Sequence, residues 1–181
     1  MVDILIVQIF LYLNYTLLMP PNPDRRVTRC IARTKLGARC KRRTARTNLC
    51  FAHLDSTLHL KIKPSGIRDA GLGLYTTKRR HIREVVAPYS GQKIVTNDPE
   101  YRGEYVLQTK RTPPPPYKYV DARLTTSGAG RFSNMARRGN HRKNNAKLGM
   151  SVRYGTANVI AKRVIPAGGE VLTSYGDDYW H

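Results

Sequence analysis

The chain has 181 residues, with 32 lysines and arginines against 12 aspartates and glutamates, for a formal net charge of +20. That length admits one good core and a small satellite, and 40% hydrophobic with 24% charged residues excludes a wholly disordered chain. Three cysteines, an odd number, argue against a disulfide framework and for a reducing compartment, while the basic excess points to nucleic acid or another anionic surface as a neighbour.

Residues 4–23, ILIVQIFLYLNYTLLMPPNP, carry no charge. The apolar segment, taken as residues 1–20, is marginal in length for a membrane span, and Gln8 and Asn14 interrupt it. It lacks the basic start and small-residue cleavage site of a signal peptide. Three readings stay open: a membrane anchor with the downstream chain on the cytoplasmic side, a helix packed on the domain, or an extension upstream of initiation at Met19. Residues 25–56 form a second unit. Within 25–53 there are ten basic residues and no acid, so apolar burial alone cannot fold it. Cys30, Cys40 and Cys50 fall ten apart, and His53 follows Cys50 by three. Three thiolates and one imidazole complete a tetrahedron for a structural zinc ion; the alternative is three unrelated buried thiols and a surface histidine.

From residue 58 the period changes. LHLKIK alternates apolar and polar, which is the strand signature. Further strands are predicted at 72–76, 84–89, 103–109, 117–121, 150–154, 157–164 and 170–174, separated by Gly, Pro and Asn turns, with no long amphipathic helix after residue 57. The expected fold is mostly β, several small sheets on one core. Pro113 to Pro116 reads as a polyproline loop, which with Tyr117 also matches a proline-tyrosine docking motif. His59, His81 and His141 have no motif around them and are expected at the surface.

Four separated stretches carry the chemistry: Gly71-Leu72-Gly73-Leu74, Tyr89-Ser90-Gly91, Arg131-Phe132-Ser133-Asn134 with Asn144-Asn145 beyond it, and Glu170 to Trp180. GLGL alone is an ordinary tight turn. Taken together, in this order and spacing, they make residues 58–181 resemble a SET domain, the protein-lysine methyltransferase fold, in a form similar to viral and protist members. The upstream unit loosely resembles small cysteine-histidine zinc modules. The resemblance implies small sheets with a threaded C-terminal segment and S-adenosylmethionine as cofactor. It further implies Tyr175 as the catalytic hydroxyl, with Tyr105 and Tyr89 as walls of the lysine channel. Gly71, Leu72, Gly73, Arg131, Phe132, Asn134 and Trp180 would contact the cofactor; Thr173, Asp177 and Asp178 would face the substrate.

Residue types agree with that chemistry. Methyl transfer from a sulfonium to an amine is an in-line displacement that needs alignment, and the lysine must arrive neutral. Desolvation beside a positive sulfonium lowers its pKa from about 10.4, and aromatic walls exclude water. Three positions depart from the family pattern: Met135 stands where histidine is usual after the asparagine, Ser174 where aspartate often precedes the tyrosine, and Thr173 where a Phe or Tyr limits methyl number. The smaller Thr173 predicts activity beyond monomethylation. The expected substrate is a histone or another basic, lysine-bearing chromatin protein, with Asp177 and Asp178 offsetting charge repulsion and the basic surface on DNA or a nucleosome. That implies a nuclear, chromatin location, including for a virus-encoded protein in a host nucleus. The rival reading is a zinc-bearing nucleic-acid adaptor whose SET-like half has lost turnover.

Overall fold

The structure is a computed structural model that describes residues 27–101, 103, 105–110, 114–124, 126–136, 143–151 and 156–174. The expectations for residues 1–20, His141, Tyr175, Asp177, Asp178 and Trp180 lie outside the described residues.

The alternation that begins at Leu58 becomes strand β3 (Leu60–Pro64), hairpinned to β4 (Leu72–Thr76) with Leu60 opposite Thr76 and Pro64 opposite Leu72. Strand β5 (Val85–Tyr89) lies at the edge of a four-stranded sheet with β10 (Thr156–Ala161), β9 (Ala146–Ser151) and the short β11 (Thr173–Ser174), in the order β11-β9-β10-β5. A third sheet places β8 (Tyr117–Asp121) between β6 (Gln92–Thr96) and β7 (Val106–Lys110). Upstream, β1 (Thr28–Arg29) pairs with β2 (Arg43–Thr44), and a helix α1 (Phe51–Leu58) joins this unit to β3. The mostly β expectation with small sheets holds. The strand expected at 150–154 starts earlier, at Ala146, with residues 152–154 outside the described ones, and that expected at 170–174 is confined to Thr173–Ser174; two further elements differ. Strand β6, QKIVT, lacks strict alternation, and it forms because β8 gives it a full antiparallel partner. Helix α1 is eight residues long, short enough that packing rather than propensity sustains it.

Leu54 from α1, Leu60, Leu74, Val86, Val159, Ile165 and Val171 meet in one buried cluster. Each such side chain contributes about 1.5 to 3 kcal/mol through burial, so the upstream unit is anchored to the β-core through Leu54. A second cluster holds Tyr89, Val120, Ala122 and Ala157. Among the described residues no helix is long and apolar enough to cross a membrane.

The C-terminal strand is threaded, as the SET resemblance implies. The Thr173 N–H donates to Asn134 O at 2.8 Å on one side, and the Ala146 N–H donates to Leu172 O at 2.9 Å on the other. Residues 172–173 therefore run between the two ends of the 134–146 segment, parallel to β9.

The turn before β5 is held by charge. Glu84 accepts from the His81 N–H at 2.9 Å and pairs with Arg80 at 3.0 Å and Lys78 at 3.1 Å. The backbone bond from His81 leads these effects, which overcome burial and hold the Glu84 carboxyl down at about 2. The folded pKa lies below the free value, so the stabilisation is complete above about 4.5 and is lost as pH falls from there through 2. Discounted for partial exposure, Glu84→Gln is expected to cost about 2 kcal/mol at neutral pH and little at pH 2. Urea midpoints at both pH values check this.

Candidate functional site

The four motif stretches converge through hydrogen bonds. Gly71 takes φ +66°, a left-handed conformation that only glycine adopts without strain. One residue on, the Leu72 carbonyl accepts from Asn134 Nδ2 at 2.9 Å, and Asn134 O in turn receives the Thr173 N–H. Asn145 stitches the other flank: its Nδ2 donates to Glu170 O at 2.8 Å, and its Oδ1 accepts from the Leu172 N–H at 2.9 Å. Buried Asn144 accepts from the Ala136 N–H at 2.9 Å. The amides of Asn134, Asn144 and Asn145 thus serve as side-chain rungs where irregular backbone would otherwise bury unmatched groups. Buried Met135 lies between them in sequence. Thr173 is fully buried, and its hydroxyl has no hydrogen-bond partner among the described residues.

Gly73 plays a different part from the expected one of letting backbone approach a cofactor. A Cβ there would lie 2.2 Å from Glu170 Oε1, so the missing side chain makes room for that carboxylate. Glu170 accepts from Ser65 Oγ at 2.6 Å, the Gly66 N–H at 2.9 Å and Tyr75 Oη at 3.1 Å. It is a latch between the 65–71 loop and the threaded strand, and sequence reasoning missed it because one carboxylate 97 residues beyond Gly73 gives no local signal. Gly73→Ala is expected to expel the carboxylate and cost about 2 to 3 kcal/mol. In a Glu170→Ala background the same change should cost less than half as much, and a double-mutant denaturation cycle measures the difference.

The tyrosine and arginine expectations change most. Tyr89 is 7% exposed and sits in the second core cluster, donating its hydroxyl to Tyr105 O at 2.9 Å. It braces the Tyr105 backbone, which turns there at φ +63°. Arg131, expected at the cofactor, is 4% exposed. Its Nη1 donates to Ala122 O at 3.0 Å and Arg123 O at 2.7 Å, and its Nη2 donates to Arg46 O at 2.9 Å. The guanidinium lies between the rings of Tyr105, 5.3 Å away, and Phe132, 4.8 Å away. Five donors in a planar fork suit this job: Arg131 clamps the upstream unit to the loop leading to Asn134. Its side chain is a positioning element, and Phe132 packs in the main core beside it.

A separate centre lies upstream. The ligand atoms of Cys30, Cys40, Cys50 and His53 all fall within 4.8 Å of one another, with the thiols buried. Cys50 Sγ is 3.3 Å and Cys30 Sγ 3.6 Å from His53 Nδ1. A tetrahedral zinc with bonds of about 2.0 to 2.3 Å has ligand–ligand edges of roughly 3.5 to 3.8 Å, so the set fits such an ion. The Cys50 N–H donates to Cys30 Sγ at 3.3 Å, the outer-shell bond a metal thiolate takes. Burial opposes ionisation of Cys50, yet the His53 N–H, its ring and the two neighbouring thiols together bring it down to about 6. Burial instead pushes the Cys30 thiol up. Three clustered thiols cannot all ionise unaided; a divalent cation held there would supply the missing charge.

The sequence model of the SET domain matches residues 71–176. The chain belongs to the SET-domain family. Solved structures similar to this SET domain include the methyltransferase domain of human PR domain-containing protein 2, with a TM-score of 0.53 and 18% identity over 70% of this chain and 85% of that one. At that identity the likeness speaks for the fold. A search of the curated proteins returns no match. Family and neighbour together support a methyltransferase-type function for this SET domain. The family match begins at Gly71, so the cysteine-histidine unit lies wholly outside it.

Proposed function

We propose that the protein is an S-adenosylmethionine-dependent protein-lysine N-methyltransferase acting on a histone or another basic chromatin protein, with a structural zinc ion in its upstream unit. The observation that carries this reading is the bonding of the Leu72, Asn134 and Thr173 segments to one another around a buried Thr173 hydroxyl with no partner among the described residues. An orphaned buried hydroxyl costs about 1 to 3 kcal/mol, and a ligand amine or an ordered water would satisfy it. The left-handed Gly71 turn and the backbone around Asn134 supply the wall against which the cofactor would rest; when bound, it supplies the electrophilic methyl.

The chain's own residues align and dehydrate. Tyr175, two residues beyond Thr173, orients the amine through its hydroxyl, and the half-buried ring of Tyr105 lines the approach. Closing the site against water removes hydration from the lysine ammonium and lowers its pKa, so the neutral nucleophile forms near pH 7. By the family resemblance Trp180 would stack on the adenine, and Asp177 and Asp178 would receive a basic peptide that the rest of the surface repels. Thr173 leaves room for a methylated amine, which supports transfer of more than one methyl.

The test uses labelled cofactor with nucleosomes and free histones, comparing wild type with Tyr175→Phe. Lysine methylation that falls at least about 100-fold in the variant, with di- or trimethyl product in the mass spectrum, supports the reading. Equal inactivity of both proteins, with the fold intact, overturns it in favour of the non-catalytic adaptor.

A further inference from the structure

The unit upstream of the SET domain contains a pattern hidden by its charge. Thr28 pairs with Thr44 and Arg29 with Arg43. The Cys30 N–H then donates to Arg42 O, the Cys40 N–H to Ala32 O and the Thr34 N–H to Ala38 O, while Arg33 bridges Arg39. All these pairs share one antiparallel register, so residues 28–44 form a single two-stranded ribbon with its tip at Lys35-Leu36-Gly37. Side chains alternate across such a ribbon. Cys30 and Cys40 are buried on one face, where they meet Cys50 and His53. Arg29, Arg33, Arg39, Lys41 and Arg43 occupy the other and are all exposed.

The outer face is preorganised. Arg29 donates through Nε to Cys40 O at 2.9 Å and through Nη2 to Arg39 O at 3.0 Å; Arg39 reciprocates to Cys30 O at 3.2 Å and Arg29 O at 3.1 Å. These guanidiniums are laid flat against the ribbon, which lowers the entropy lost when they meet a ligand. No acid occurs between Asp24 and Asp55. Among the described residues none of the face's cations makes an ion pair.

We propose that this face binds duplex DNA, with the ribbon seated in the major groove and the metal on its inner side holding it in shape. A B-form major groove, about 12 Å wide, admits a two-stranded β-ribbon, and cations on both strands reach the phosphates of both walls. The major groove of A-form RNA is too narrow for it, and a protein partner would need an acidic surface matched to five cations on a flat ribbon. The inference goes beyond methyl transfer and requires no part of it.

Fluorescence anisotropy of the zinc-loaded full chain with a 20-base-pair duplex, without cofactor, tests the proposal. With Lys35 at the tip, six phosphate contacts predict a salt slope of about −5 and a loss of affinity of roughly 10^3-fold between 50 and 200 mM salt. Arg33→Gln combined with Lys35→Gln and Lys41→Gln leaves the Cys30 and Cys40 carbonyl bonds intact, and zinc content reports whether the ribbon persists. That variant should flatten the slope by about 3, while Lys93→Gln with Lys162→Gln and Arg163→Gln, on the SET half, should change it little. Equal losses in the two variants, an unchanged slope in the first with zinc retained, or equally tight binding of double-stranded RNA each overturns the proposal.

Discussion

Chelating the metal from Cys30, Cys40, Cys50 and His53 is expected to unfold residues 27–50 while leaving the β-core folded. Structural zinc of this ligand type contributes on the order of 10 kcal/mol or more to its module, and the ribbon has little else. Its buried apolar content is the cysteines themselves, with Leu49, Ala32 and Ala52 packed against them. The main core, by contrast, gathers most of its side chains from β3 through Val171 and draws Leu49, Leu54 and Leu58 from upstream. The effect should nevertheless cross into the SET domain. The Asn48 N–H donates to Ser127 O at 3.1 Å and Arg46 O receives Arg131, so hydrogen exchange at residues 127–132 should rise once the metal leaves. Exchange there that stays at its holo rate would show the two units to be uncoupled. Acid should act as the chelator does, because the ligands must be deprotonated to hold metal and protons compete with it for the thiolates.

Replacing Arg131 should be the most damaging single change in the SET half. Arg131→Met leaves three carbonyls, those of Arg46, Ala122 and Arg123, without their donor inside the protein, and the expected cost is about 3 to 5 kcal/mol. Arg131→Lys keeps the charge and loses the fork, so it should recover less than half of that. Urea denaturation gives both values. The pair of variants also separates two roles. A residue that contacted the cofactor would change cofactor affinity with the stability intact, whereas a clamp lowers stability first and shows the same loss when the ribbon is stripped of its metal.

Much of this molecule is legible in its sequence. LHLKIK and the LGLYT strand follow from alternation and glycine punctuation, and the cysteine and histidine spacing anticipated a cluster that the fold does assemble. What could not be read depends on partners far along the chain. Strand β6 exists because β8 lies beside it. The ribbon looks like a charge run, because the residues between its cations are mostly threonine, alanine and cysteine and not the large apolar residues that mark a strand. Cys50, which precedes helix α1, gives it no side-chain cap, so no start signal announces it. Gly73 and Arg131 show the same limit from the functional side: their motifs are recognisable, but the groups they serve, Glu170 and the Arg46 carbonyl, are set by tertiary placement alone.

The interleaved path of the last described strand also fixes when this protein can become competent during its synthesis. Asn145 waits for acceptor and donor groups on Glu170 and Leu172, which follow it by 25 and 27 residues, and a nascent chain keeps roughly that much of itself inside the ribosome. Until those residues emerge, the amides of Asn134 and Asn145 face water, the slot between them is open, and neither donor nor acceptor of a methyl group has a wall to rest on. The ligand set of the ribbon, by contrast, is complete by His53 and waits for none of these late residues, so the two halves of the protein mature in the order in which they are made.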